Sequence, residues 1–213
     1  MTSTTRIIIA DDHTIFREGL KQIIARTAAM AVAGEASDGT ELIDKIRREE
    51  FDLVILDISL PGRSGFDILA DISVIRPKLP VLILSMHPEE QYALRAMKSG
   101  AAGYLTKGCS SQELIEALQK IALGKKYVSP SIAEMLVDHF GSNREEPLHE
   151  RLSIREFEVM RMIAKGATPK TIAEDLMIGT KTVNTYRARI LQKMGMKSNA
   201  DLTRYAVEHK LVP

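Results

Sequence analysis

The sequence predicts an α/β domain on a doubly wound, five-stranded parallel sheet of order 2-1-3-4-5, followed by an all-α domain of four helices. Three observations predict it. Short β-branched runs alternate with helical patterns five times before residue 124, and parallel neighbours need such crossovers. From Leu152 onward every periodic segment is helical. Charge divides at the same place: residues 151 to 213 hold 12 Lys and Arg against 6 Asp and Glu, whereas the remainder holds 17 against 22. The chain therefore reads as a domain over 1–124, a linker with a short helix over 125–150, and a second domain over 151–213.

The first strand is the run Arg6 to Ala10, which stops at Asp11-Asp12. Thr14 to Thr27 follows with apolar residues Ile15, Phe16, Leu20, Ile23 and Ile24 at helical spacing. Val32 to Ala36 is a weak second strand, and Glu41 to Arg48 a helix with Leu42, Ile43 and Ile46 on one side. Leu53 to Asp57 is the third strand, an unbroken apolar run that suits burial on both faces and ends in a carboxylate. The turn pair Pro61-Gly62 breaks it. A helix then runs from about Ser64 to Ile75, closed by Arg76-Pro77. Pro80 to Ser85 is the fourth strand, Glu89 to Lys98 the fourth helix, and Gly103 to Lys107 the fifth strand. Ser110 with Glu113 three residues on reads as a capping box for the helix Ser111 to Leu123.

Ser129-Pro130 marks the start of a helix through about Phe140, and Gly141 to Pro147 has no apolar face. In the second domain Ser153 with Glu156 is a capping box for a helix to about Lys165. Thr168-Pro169 opens a short helix to Leu176; Thr180 to Met194 and Asn199 to His209 are the last two.

Bulk composition narrows the function classes. A chain 45% hydrophobic and 27% charged describes a soluble globular protein. No apolar run approaches the roughly 20 residues of a membrane helix, and no signal peptide precedes the first strand. The lone Cys109 excludes an internal disulfide and suits a reducing cytoplasm. A basic second domain calls for an anionic partner, with a merely solvated basic face as the plain alternative.

Four strand ends carry the chemistry. In the order 2-1-3-4-5, strands one and three are neighbours, so Asp11, Asp12 and Asp57 meet at the switch point where open α/β sheets bind ligands. Three carboxylates repel and raise one another's pKa unless a cation sits between them, and an all-oxygen set favours Mg²⁺. Ser85 and Lys107 end strands four and five on the same edge. A hydroxyl and an ammonium beside such a carboxylate suit a site that holds a phosphoryl group, with the carboxylate as nucleophile. Structural roles compete: Asp57 as a helix cap, the acids as a solvated cluster, Tyr104 as core.

Residues 6 to 124 resemble a CheY-like receiver domain, through Asp11-Asp12, Leu56-Asp57 with Leu60-Pro61-Gly62, Ser85, and Tyr104 three residues before Lys107. The resemblance implies Asp57 as phosphoacceptor, a partner histidine kinase, and Mg²⁺ held by Asp11, Asp12, Asp57 and the Ser59 backbone carbonyl. It implies Lys107 as phosphate ligand and Ser85 with Tyr104 as switch pair. Gly108 stands where many receivers carry proline, which leaves open whether the Lys107-Gly108 peptide is cis.

Thr168 to Met194 holds two helices separated by Met177-Ile178-Gly179, the spacing of a helix-turn-helix whose second helix enters the major groove. Turning about 100° per residue places Val183, Ile190 and Met194 inward and Lys181, Asn184, Thr185, Ala188, Arg189 and Gln192 outward. Arg187 lies near the inward edge, where a tie within the domain competes with a DNA contact. Asn suits adenine, and Thr and Ala methyls suit thymine; Lys181, Arg189 and Lys193 are placed for phosphates. Residues 152 to 211 resemble the LuxR-type DNA-binding domain, through Leu152 to Glu156, Lys165-Gly166, Ile172-Ala173, Lys181 to Arg187 and Ile190 to Met194. Together the two resemblances mark the NarL/FixJ class of two-component response regulators, with Lys181 to Arg187 most similar to the GacA/UvrY branch. They imply a cytoplasmic, phosphorylation-switched transcription regulator that binds double-stranded DNA, dimerises when phosphorylated through contacts such as its last helix, and turns over no external substrate.

Two other readings compete. A dehalogenase-like phosphatase would want a second acid two residues beyond Asp57, where Ser59 stands. A small-molecule sensor would want an aromatic-rich pocket, and aromatic content is 5%. A degenerate receiver on a phosphorylation-independent DNA-binding protein is the nearest alternative.

Overall fold

In the computed structural model, which describes residues 4–134 and 147–212, the most apolar runs of the chain become the middle of one sheet. Strands β1 (Thr5–Ala10), β3 (Leu53–Leu56) and β4 (Val81–Ser85) lie side by side, with β2 (Met30–Ala36) and β5 (Gly103–Thr106) at the edges. All neighbours are parallel, in the order β2-β1-β3-β4-β5. Every residue of β3 and β4 is buried, as expected where helices cover both faces.

Each crossover is a helix: α1 (Thr14–Ile24), α2 (Gly39–Arg48), α3 (Gly65–Ile75), α4 (Glu89–Lys98) and α5 (Ser111–Ala122). Successive strand residues point to opposite faces. Ile7, Ile9, Leu53, Ile55, Leu82 and Leu84 therefore form one core with Leu20 and Ile24 of α1 and Leu114 and Leu118 of α5. Caps start the helices where the sequence supplies them. Asp38 accepts from the amides of Thr40 and Glu41, Ser64 from Phe66, and Ser110 from Glu113. The box expected at Ser110 is only half made, because the Glu113 carboxylate instead accepts the Tyr127 hydroxyl at 3.2 Å.

The first unit does not stop at residue 124. The chain divides into two compact units between residues 142 and 143. Tyr127 is buried in the core beside Gly103, its amide donating to the Ala102 carbonyl at 2.8 Å, and Ile132 is fully buried. The beginning of the expected linker is thus packed structure, and the reason is the apolar Tyr127 and Ile132. The helix expected from Pro130, α6, is described over 130–134. Its remainder and the stretch over 141–146 lie outside the described residues.

The second unit opens with a 3₁₀ turn (Leu148–Arg151), then α7 (Ile154–Ala164), α8 (Pro169–Asp175), α9 (Thr180–Met194) and α10 (Asn199–Glu208). Capping boxes at Ser153/Glu156 and Ser198/Asp201 start α7 and α10. Phe157, Met160, Ile172, Val183, Ile190, Met194 and Leu202 make its core. No helix among the described residues is long and apolar enough to cross a membrane.

Candidate functional site

Sheet register gathers the first cluster. The Asp57 amide donates to the Ala10 carbonyl at 2.9 Å, so the residue after β3 sits beside the residue after β1. Asp11 and Asp57 are both 2% exposed, whereas Asp12 lies at the rim. The Lys107 amide donates to the Ser85 carbonyl at 2.7 Å, bringing the ends of β4 and β5 together. Lys107 then spans the site. Its ammonium lies 2.6 Å from Asp11 Oδ2 and 2.7 Å from Asp57 Oδ2, with the Phe16 ring beneath it at 4.7 Å.

Burial opposes the Lys107 charge, but hydrogen bonds to Asp11 and Asp57 outweigh it and hold its pKa above the ordinary value. Burial raises the pKa of Asp57, opposed by Lys107 and by the Ser59 N–H, which donates to Asp57 Oδ1 at 3.0 Å. Three carboxylates against one ammonium leave room for two further positive charges. Ligand atoms of Asp11, Asp12, His13 and Asp57 lie within 4.8 Å of one another, so the cluster could hold a metal ion. The three carboxylates of that set, as oxygen donors, fit a hard divalent cation. His13 was not foreseen. Its Nδ1 lies 2.7 Å from Asp12 Oδ1 and its amide donates to Asp11 Oδ1 at 2.8 Å, orienting both acids.

Gly65 was not foreseen either. A Cβ there would lie 2.4 Å from Ile58 Cα and 2.7 Å from the Asp57 carbonyl oxygen, so α3 approaches the segment after β3 more closely than a side chain permits. Ser64-Gly65 before an apolar helix was the signal available.

Ser85 and Tyr104 meet at a third residue. Ser85 Oγ accepts from the His87 amide at 3.2 Å, and the Tyr104 hydroxyl donates to the His87 carbonyl at 2.9 Å, with Ser85 as a second partner. Tyr104 is fully buried, and burial raises its pKa, so the phenol keeps the proton it donates. The His87 ring stacks on Tyr92 at 4.5 Å and reaches Ser59 Oγ at 3.5 Å. No cis peptide occurs among the described residues, so Lys107-Gly108 is trans.

In the second unit, Thr168 caps α8 and Pro169 occupies its first turn. Met177 takes a left-handed φ of 51° in the turn, and Arg155 holds that turn by donating to the Leu176 carbonyl at 2.8 Å. The Val183, Ile190 and Met194 stripe is buried. Lys181, Asn184, Thr185, Ala188, Arg189 and Gln192 are exposed, although the Thr185 hydroxyl is turned back to donate to the Lys181 carbonyl at 3.0 Å. Two basic residues of α9 are engaged within the unit. Lys193, expected at a phosphate, bonds Glu156 at 2.6 Å, where the carboxylate is 4% exposed, which ties it to the α7 cap. Arg187 donates to Asn199 Oδ1 at 2.6 Å and ties α9 to α10.

The two clusters match two known families. Residues 7–119 match the response regulator receiver domain, and residues 150–206 match the luxR family of bacterial regulatory proteins. The chain is a two-component response regulator. This regulator is 35% identical to the oxygen regulatory protein NreC of Staphylococcus carnosus (strain TM300), over 97% of its own length and 99% of that protein's. It is 31% identical to the response regulator GacA of Pseudomonas aeruginosa, over 97% of each chain. NreC's slightly higher identity means that the whole chain does not single out the GacA/UvrY branch. Among solved structures it is similar to RcsB from Salmonella enterica serovar Typhimurium bound to promoter rprA in the presence of phosphomimetic BeF₃⁻. The TM-score is 0.66 at 25% identity, covering 95% of this chain and 98% of that one.

Proposed function

We propose that Asp57 is the phosphoacceptor and that its phosphorylation by a sensor histidine kinase switches dimerisation and sequence-specific DNA binding. One observation carries this most directly. The Lys107 ammonium is buried between Asp11 and Asp57 at 2.6 and 2.7 Å, in a carboxylate cluster with charge left over for a divalent cation. Mg²⁺, held by Asp11, Asp12, Asp57 and the Ser59 carbonyl, would supply charge neutralisation for the phosphoryl oxygens. A carboxylate oxygen of Asp57 attacks phosphorus, the phosphorus–nitrogen bond of the donor phosphohistidine breaks, and its electron pair leaves with the imidazole. Lys107 exchanges a carboxylate partner for a phosphoryl oxygen. The Ser85 hydroxyl gives up the His87 amide to donate to a second phosphoryl oxygen, which frees the neighbourhood of Tyr104.

For DNA, Asn184, Thr185, Ala188 and Gln192 are proposed to meet base edges, with Lys181 and Arg189 on phosphates. The helix α10 and the receiver would supply dimer contacts. The protein would act in the cytoplasm and turn over no external substrate. The complete set of Asp11, Asp12, Asp57, Ser85 and Lys107 speaks against a degenerate receiver, and Ser59 in the place of a second acid speaks against a phosphatase. Acetyl phosphate with Mg²⁺ should add one phosphoryl group to the intact protein, and Asp57→Asn should add none. Equal uptake by both would remove Asp57 from the role.

A further inference from the structure

The stretch after α5 is fastened to α4, and α4 begins two residues beyond the point that both switch residues hold. His87 offers its amide to Ser85 and its carbonyl to Tyr104. Pro88 follows with φ fixed at −67°, and Glu89 is the first residue of α4. Glu89 Oε2 accepts both the Ser129 and the Ser131 hydroxyls, each at 2.7 Å. The Ser129 oxygen also accepts from the Ile132 amide at 3.3 Å, so the same hydroxyl starts α6. Just upstream, Tyr127 is pinned elsewhere, by its amide to Ala102 and by its hydroxyl to Glu113.

Two hydroxyls on one carboxylate oxygen form charge-assisted bonds, and nothing in phosphoryl transfer calls for them. They tie this stretch to the first residue of the helix that follows the switch residues. We propose that the clamp of Glu89 on Ser129 and Ser131 carries the phosphorylation state of Asp57 into the segment that leads to the DNA-binding unit. This rests on the switch proposed above. Once the Ser85 side chain turns to donate to a phosphoryl oxygen, its Oγ moves away from the His87 amide, which loses that acceptor. That removes one restraint on the loop while the His87 carbonyl keeps Tyr104, and Glu89 shifts with the loop through the rigid Pro88. Tyr127 stays with β5 and α5, so the displacement falls on the clamp. Hydrogen bonds weaken steeply once stretched, and a shift of about 1 Å opens it. The clamp is therefore closed without phosphate and open with it.

The test uses the full-length protein, with BeF₃⁻ and Mg²⁺ as the probe of the phosphorylated state and selected operator DNA as the readout. In wild type the probe should raise DNA affinity about fivefold or more, and hydrogen exchange at the Ile132 amide should speed up. Ser129→Ala/Ser131→Ala should bind DNA without the probe at close to the wild-type activated affinity, and its own response should fall below about twofold. Its affinity for BeF₃⁻ should be unchanged, because neither serine lies at the phosphoacceptor. Ser131→Ala alone, at an exposed position, should show the same change in part even if the double variant folds poorly. Ser131→Thr, which keeps the hydroxyl, should behave as wild type. A normal wild-type response together with unaltered responses of both alanine variants would overturn the clamp and leave the switch standing. No response in wild type would overturn both.

Discussion

Lys193 and Glu156 show how one contact redirects a residue. Glu156 is buried at the α7 cap, accepting from the Ser153 amide at 2.7 Å and from Lys193 at 2.6 Å. Burial works against its charge, but Lys193 and the Ser153 amide and hydroxyl prevail and hold its pKa below the ordinary carboxylate value. A carboxyl depressed in the folded state stabilises fully above its unfolded pKa of about 4.3, and the benefit is lost as pH falls through the folded value. Lys193→Ala should therefore destabilise the second unit by about 1 kcal/mol at neutral pH, a low figure because the ammonium is partly in water. It should also flatten the loss of stability between about pH 5 and pH 3, followed by thermal melting. Its DNA affinity should fall less than that of Lys181→Ala. On the same helix, Asn184→Ala should cost about 1–3 kcal/mol at the specific site and relax preference at one base pair, read by selection from random DNA. Unchanged specificity would mean that a different face of α9 reads the bases.

At the scale of elements, Gly65 joins α3 to the strand that ends in Asp57. Gly65→Ala forces a Cβ against the Ile58 backbone and the Asp57 carbonyl. It should cost about 1–3 kcal/mol in stability and weaken BeF₃⁻ binding by shifting Asp57, as measured by denaturant melts and titration. Wild-type values for both would mean that α3 yields without moving the site. The strands, crossovers and strand-end residues were legible because short unbroken apolar runs and helical stripes differ sharply, and a chemical residue closes four of the five runs. What was hidden depends on tertiary contact. Gly65 matters through a helix approach, His87 through two bonds from elements 2 and 17 residues away, and Lys193 through α7. The end of the first unit at residue 124 was misjudged because Tyr127 and Ile132 are isolated apolar residues, too few to show a period.

For the whole molecule, the division of charge sets the chemistry of each part. The acidic receiver gathers three carboxylates that could hold a cation, while the luxR-type unit is basic. Lys181→Ala should weaken binding to all sequences about equally and lower the salt slope by about one unit, since one phosphate contact is lost. In the proposed switch, charge added at Asp57 is felt at α9. DNA affinity of the full-length protein, measured with Mg²⁺ and with or without acetyl phosphate, tests it most directly beside Asp57→Asn. The account predicts tighter binding by about fivefold or more for wild type on phosphorylation and no change for Asp57→Asn. Equal affinity of the phosphorylated and unphosphorylated wild-type protein would contradict it.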